Sequence, residues 1–164
     1  MKAVLMSIQP KWCELIANGK KTVEVRKTKP KLETPFKVYI YQTRRTWTYD
    51  IYSRIADWQG KVIGEFVCDK IDYWTYYWQP DVMHIIDMSK LSCVSVDDLL
   101  KYSRNGKDTL YGWHISDLVI YDKPKELSEF CKPTLPTFLR YEDDVIKRQP
   151  QSWCYVEELQ ASGL

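Results

Sequence analysis

The stretch Gly19-Lys20-Lys21-Thr22-Val23-Glu24-Val25-Arg26 decides the predicted fold, because an amphipathic helix ends at its glycine and a strand follows. Side chains on a strand alternate between two faces, so Thr22, Glu24 and Arg26 are expected on one face and the two valines on the other. A hydroxyl, a carboxylate and a guanidinium would then lie in one row beside a core. Lys20 and Lys21 lie at the turn that enters the strand, and at least one of them should reach the same surface.

The segments on either side predict further regular elements. Residues 3–8 form a predicted buried strand, and residues 10–18 predict a helix with proline in its first turn and glycine just beyond its end. A basic loop over 28–35 precedes an alternating strand at 36–43. Further strands are predicted at 60–71, 111–121 and 152–157, and a helix capped by Ser95 is predicted at 95–102.

Many strands and few helices favour an α+β fold built on a small β-barrel with flanking helices. The chain has 164 residues, of which 45% are hydrophobic and 28% are charged, as in an ordinary globular protein. No interdomain linker or internal repeat interrupts it. We therefore expect residues 1–164 to form a single domain.

The charge is distributed unevenly along the chain. Residues 1–45 carry eleven Lys/Arg and three Asp/Glu, a net charge of +8, whereas residues 46–164 carry a net charge of −6. Such asymmetry fits an anionic ligand or a nucleic-acid backbone, although a basic run is as often a solvated face. Without a membrane-spanning run or a signal peptide, the protein is expected in the cytoplasm and not at a membrane.

The cysteines and known motifs indicate no metal or cofactor. Five cysteines are scattered without a C-x-x-C pair or a histidine at zinc spacing, so small buried thiols in a reducing compartment are expected. Nucleotide-binding glycine motifs and the zinc-protease motif are also missing from the sequence. Nucleotide hydrolysis of the P-loop type, dinucleotide redox chemistry and zinc proteolysis therefore lack support.

Two aromatic segments could contact a ligand or a partner. Residues 44–60 combine Arg44 and Arg45 with Trp47 and other rings, a composition that could hold phosphates and stack bases; the alternative is that the rings fold back on the core. The segment from Tyr73 to Trp78 has five aromatics in six residues. It predicts either a binding platform, including one for a protein partner, or a cover for one end of the barrel.

The pattern G-x-K-x-x-E-x-R at Gly19, Lys21, Glu24 and Arg26, preceded by Ser7-Ile8-Gln9-Pro10 and a helix, resembles the ASCH family of the PUA-like superfamily. The similarity covers about residues 1–72, with 113–118 as a later strand. It implies a PUA-like barrel whose cleft, beside the first helix, receives RNA or a nucleotide. Similar proteins include RNA-binding domains, a ribonuclease, and an amidohydrolase that deacetylates acetylcytidine with a lysine, a threonine and a glutamate. Lys21 matches that lysine, but Glu24 stands at the position of the threonine.

Three hypotheses follow from these observations. The first is an RNA- or nucleotide-binding protein that uses Lys20, Lys21, Glu24, Arg26, Arg44, Arg45, Trp12, Tyr41 and Trp47. The second is a metal-independent hydrolase of modified nucleosides or RNA, with Lys21 as base and Glu24 or Glu65 as the assisting acid. The third is a protein-interaction module that docks a partner on the aromatic segment. Against the first two stands a plain surface ion pair between Glu24 and Arg26, worth at most about 1 kcal/mol.

Overall fold

The computed structural model describes residues 1–44, 57–77, 83–133 and 144–160. Within them the chain forms eight strands, three α-helices and one short 3-10 helix. In chain order, these are β1 (Lys2–Ile8), α1 (Pro10–Ala17), β2 (Val23–Arg26), β3 (Phe36–Gln42), β4 (Lys61–Cys68), β5 (Ile71–Trp74), α2 (Ile85–Ser92), α3 (Val96–Tyr102), β6 (Leu110–His114), β7 (Ser116–Lys125), the 3-10 helix Leu127–Glu129 and β8 (Trp153–Glu157).

The strands divide into two sheets. The larger has the order β7-β4-β3-β1-β8, and the smaller has the order β2-β6-β5. Strands β1 and β3 run parallel, and the other pairs are antiparallel. The α+β class is confirmed, but the strands of the described residues form no closed barrel.

Two segments that are each predicted as one strand form two strands in the structure, because the chain passes from one sheet to the other within them. The segment predicted as one strand at 60–71 is β4 followed by β5, because the chain turns at residues 69–70 and crosses to the smaller sheet. The segment predicted at 111–121 is β6 and β7, which also lie in different sheets. Strand β7 continues through Pro124, which is tolerated because β7 lies at a sheet edge. Helix α2 was not predicted.

Three apolar clusters hold these layers together. The first lies between the two sheets, the second covers the opposite face of the larger sheet, and the third joins the smaller sheet to α2 and α3. Representative buried members are Met6, Ile40 and Trp113 in the first, Leu5, Tyr39 and Phe130 in the second, and Val23, Met88 and Leu99 in the third. Burial of this much apolar surface is the main force that fixes the sheets relative to each other.

Helix α1 sets the position of residues 19–26. Its Cys13 and Ile16 pack into the first cluster. The helix begins with Pro10 and is followed by Gly19 at a φ of 76°, as the sequence predicts. The backbone amides of Lys20 and Lys21 then both donate to the carbonyl of Leu15, so the chain leaves the helix in a fixed direction.

The helices are short, with at most eight residues each. Among the described residues, no helix is long and apolar enough to cross a membrane.

Candidate functional site

Three charged side chains from residues 19–26 form one network. Strand alternation places Glu24 and Arg26 on the same face of β2, and Lys21 reaches that face from the turn before it. One oxygen of Glu24 lies 3.1 Å from Lys21 Nζ, and the other lies 2.9 Å from Arg26 Nη2. The carboxylate therefore bridges two cations, and the group carries one net positive charge.

Lys21 is held almost completely out of water. It is 2% exposed, and its ammonium donates to the carbonyl of Ser92, at the end of α2, over 2.7 Å. The same nitrogen lies 4.9 Å from the ring centre of Trp12 on α1. A carbonyl, a carboxylate and an aromatic face thus all contact the Lys21 side-chain nitrogen at one position.

Arg26 connects the network to β1 and to the approach to β8. Its Nη2 donates to the carbonyl of Ser7 over 2.7 Å, and its Nη1 donates to Ser152 Oγ over 3.3 Å. Ser7 in turn donates its hydroxyl to the carbonyl of Pro150 and its amide to the carbonyl of Ser152. Within the described part of the chain, Arg26 Nε is buried and has no hydrogen-bond partner.

These groups line a cavity of about 420 Å³, which we call the cleft. The cleft is bounded by the start of α1, by β2, by α3 and by the segment before β8. The lining residues are Ser7, Gln9, Trp12, Lys21, Glu24, Val25, Arg26, Thr43, Val94, Asp98, Leu99, Tyr102, Gln149, Pro150 and Gln151. Its volume lies within the range of about 300–1,000 Å³ that small-molecule sites occupy.

The cleft offers fixed donors, aromatic surface and amide groups.

The thiol of Cys13 lies next to the cleft. Burial and then the charge of Glu24 raise its pKa far above the usual value, although Arg26 opposes the shift. Such a thiol is no nucleophile at neutral pH. Among the described residues, no group of three or more His, Cys, Asp or Glu side chains could hold a metal ion.

Several residues predicted for the site are not brought to it. Lys20 and Thr22 are exposed and do not line the cleft. Tyr41 is buried in the second cluster, on the opposite face of β3, and with Arg44 it lines a separate cavity of about 460 Å³. Its position under that cluster prevents it from stacking a ligand in the cleft.

Glu65 also lies away from the cleft. Strand alternation places it beside Tyr39 on the outer face of the larger sheet. There its carboxylate lies 2.9 Å from Lys37 Nζ and accepts a hydrogen bond from the Tyr121 hydroxyl. The structure therefore does not bring Glu65 together with Lys21. Arg45, Trp47 and Trp78 lie outside the described residues.

Sequence reasoning missed two walls of the cleft. One is α3, which contributes Asp98, Leu99 and Tyr102, and the other is the segment 149–151. The Ser95 cap predicts the helix but not the residues that the helix faces, and the motif Ser7-Ile8-Gln9-Pro10 predicts no partner for its serine. Both walls reach the cleft through tertiary contacts that no local pattern shows.

Comparisons with known proteins agree with this fold. The ASCH domain model matches residues 6–129. The solved structure of ASCH from Zymomonas mobilis is similar with a TM-score of 0.56 and 18% identity, covering 95% of this chain and 88% of that one. A serine-to-alanine mutant of ZmASCH gives a TM-score of 0.59 at 16% identity, covering 95% of this chain and 89% of that one. A tyrosine-to-phenylalanine mutant of ZmASCH gives a TM-score of 0.56 at 17% identity, covering 96% of this chain and 92% of that one. A comparison with curated proteins found no match.

Proposed function

The chain belongs to the ASCH domain family, and on this basis we propose that its cleft binds one nucleotide unit, either free or within RNA. ASCH domains are RNA-binding modules in general. The observation that carries the proposal is the buried network of Lys21, Glu24 and Arg26 on the floor of the cleft.

The charge of this network suits an anionic group. Two cations and one carboxylate leave one net positive charge, and Lys21 and Glu24 are only 2% and 5% exposed. Coulombic attraction is strongest where water is excluded, and donors that are already oriented need no reorganisation when the ligand arrives. A phosphate group is the natural ligand for such a floor.

The walls of the cleft suit a base. Trp12 and Tyr102 provide aromatic surface on opposite helices, and Val94 and Pro150 add apolar contacts. Three glutamines line the same cavity, and their amides can both donate to and accept from base edges. Stacking combined with a few polar contacts is the usual way in which proteins hold an unpaired base.

Arg26 carries a donor that a ligand could satisfy. Its Nε is a buried donor without a partner among the described residues, and such a group costs about 1–3 kcal/mol. A ligand acceptor that draws the guanidinium toward it would recover part of this cost. Arg26 is therefore assigned to phosphate or base-edge contact, beside Lys21.

A second candidate function is metal-independent hydrolysis of a modified nucleoside or of RNA. It is favoured by the 3.1 Å separation between Lys21 Nζ and Glu24, which is close enough to transfer a proton. To act as a base, however, Lys21 would have to lose a proton while it donates to Ser92 and Glu24. These contacts support a role as a charged donor, so recognition is the preferred function.

The proposal is tested by measuring binding of single-stranded RNA and of nucleoside monophosphates to the wild type and to Lys21→Met. Loss of a charge-assisted contact worth about 1.5–3 kcal/mol should weaken binding about 10- to 150-fold. The matched control is Lys20→Ala, which removes an exposed neighbouring charge outside the cleft and should change affinity by less than about threefold. Equal effects of the two substitutions, or no binding by the wild type, would contradict the proposal.

The same samples separate recognition from hydrolysis. Acetylated nucleosides and RNA are incubated with the wild type and with Lys21→Met, and products are followed by chromatography. Turnover that disappears in the variant would establish the hydrolase. Binding without turnover, which weakens as salt rises, would establish a recognition module that depends on phosphate contacts.

A further inference from the structure

The end of the smaller sheet beside the cleft carries an unusual row of side chains. Strand β2 ends there, β6 begins there and β5 ends there. The strand register aligns Arg26 with Tyr111, and Tyr111 with Tyr73. Residues directly opposite each other share a face, so Tyr111 and Tyr73 lie on the same face as Arg26, where Tyr111 also packs against the first apolar cluster.

Basic side chains lie over the rings at this end of the sheet. Lys29 Nζ is 5.8 Å from the ring centre of Tyr111. Lys27 Nζ is 4.9 Å from the ring centre of Tyr102, which is partly exposed and lines the cleft. Two cation–aromatic pairs therefore lie in this region, and one of them includes a tyrosine that lines the cleft.

Two further tyrosines are presented at the same end, on the turn that follows β5. Tyr76 and Tyr77 are 67% and 76% exposed, and their rings lie 5.9 Å apart, nearly perpendicular at 88°. The amide of Tyr77 donates to Thr75 Oγ1 over 3.1 Å, which stabilises the turn. The two adjacent rings form an exposed aromatic patch, and contiguous apolar patches of this kind mark interaction sites.

Tyr76 is tied to the region that follows the cleft helix α3. It packs on Gly106, where a Cβ atom would lie only 2.5 Å from the Cβ of Tyr76. Gly106 belongs to the turn after α3, and Asp108 in the same segment lies 3.0 Å from Lys27 Nζ. Lys27, which lies over Tyr102, therefore also pairs with the segment on which Tyr76 packs.

The charge on this surface remains positive. Asp108 pairs with both Lys27 and Arg104, so two cations share one carboxylate. Lys29 adds a further positive charge over Tyr111. Single-stranded nucleic acid binds to surfaces of this kind, where a positive groove follows the phosphates and aromatic rings stack the bases.

We propose that Tyr102, Tyr111, Tyr76 and Tyr77, with Lys27 and Lys29, form a track that binds the single-stranded RNA continuing out of the cleft. This inference rests on the proposed function and makes the substrate an RNA strand, with one unit in the cleft and the following units on the track. Base-paired RNA is not the expected ligand, because its bases are stacked on each other and cannot lie on the tyrosines.

The test compares the wild type with Tyr76→Ala/Tyr77→Ala and with Tyr76→Phe/Tyr77→Phe, which keeps both rings. Three ligands are titrated: a nucleoside monophosphate, a single-stranded RNA of eight nucleotides, and a duplex of the same sequence. The wild type should bind the single strand at least about tenfold more tightly than the monophosphate. The alanine pair should bind the single strand about 5- to 30-fold more weakly, which corresponds to the loss of base stacking on one or two rings at the lower end of its usual strength. Its affinity for the monophosphate should not change. The phenylalanine pair should bind like the wild type.

The outcomes separate the track from the cleft. If the wild type binds the monophosphate and the alanine pair binds the single strand as tightly as the wild type does, the track is wrong while the proposed function stands. That result would leave Tyr76 and Tyr77 to a protein partner. Equal affinity for duplex and single strand would also overturn the track. If the wild type binds none of the three ligands, the proposed function itself fails.

Discussion

Glu24→Gln tests most directly how the cleft is built, because this carboxylate lies between two largely buried cations. Its oxygens are 3.1 Å from Lys21 Nζ and 2.9 Å from Arg26 Nη2. Glutamine keeps the shape of the side chain but removes the negative charge, and its amide nitrogen cannot accept from either cation. Lys21 and Arg26 would then remain next to each other without their counter-charge.

The magnitude follows from burial. Removing one partner of a buried ion pair costs about 3–5 kcal/mol, because the remaining charge is uncompensated. Arg26 keeps its bond to the carbonyl of Ser7, so we expect the lower end, about 3 kcal/mol. With a urea dependence of about 2 kcal/mol per molar, the unfolding midpoint should fall by about 1.5 M. Phosphate should bind more tightly to the variant, since the floor of the cleft gains one net positive charge.

The assay is urea unfolding followed by tryptophan fluorescence, with RNA binding measured where the variant is folded. The control is Glu126→Gln, which removes a carboxylate paired with Lys61 at an exposed position and should cost about 0–1 kcal/mol. In a cycle with Lys21→Met, the double variant should be more stable than the sum of the single effects by about 0.5–3 kcal/mol. Additive effects, or a midpoint equal to that of the control, would refute the buried network; a loss of RNA affinity in Glu24→Gln would refute its proposed electrostatic role.

Two further predictions concern the larger sheet, away from the cleft. Gly64→Ala would place a Cβ atom 2.4 Å from the carbonyl oxygen of Val119, so the pairing of β4 with β7 must shift; urea unfolding should show a loss of about 1–3 kcal/mol with unchanged RNA affinity. Burial and then the hydrogen bond to Glu65 raise the pKa of Tyr121. The unfolded tyrosine ionises near pH 10 while the folded one stays protonated, so stability should fall above about pH 10, and less steeply in Tyr121→Phe. Midpoints measured between pH 8 and 11 that decline equally in both proteins would contradict this second prediction.

The parts of the fold set by local pattern could be predicted from the sequence. Proline at the first turn and glycine after the last turn define α1, and alternation along β2 places Glu24 and Arg26 on one face. Ser95 accepts from the amide of Asp98, as expected of a helix cap. In each case the structure depends on residues within four positions of each other, and such short-range geometry can be read from spacing.

The parts set by distant contacts could not be predicted. Lys21 donates to a carbonyl 71 residues away, and Arg26 donates to a serine 126 residues away. Periodicity also failed where the chain changes sheet, because only Asp69 and Lys70 separate β4 from β5 and neither is a glycine or a proline. The alternation that predicts Glu65 on a strand cannot say which side of the sheet the cleft occupies. Only the packing of the two sheets decides that.

The contacts of Lys21 favour recognition over hydrolysis as the function proposed for the cleft. Its ammonium already donates to the carbonyl of Ser92 and the carboxylate of Glu24, and it lies over the ring of Trp12. A base must release one of these bound protons and weaken the contacts that hold it, whereas an ammonium that attracts a phosphate keeps its charge. Oriented charges that do not reorganise are the property that favours tight binding of an anion. The arrangement of the cleft thus favours recognition, and hydrolysis would require Lys21 to leave the contacts in which it is found.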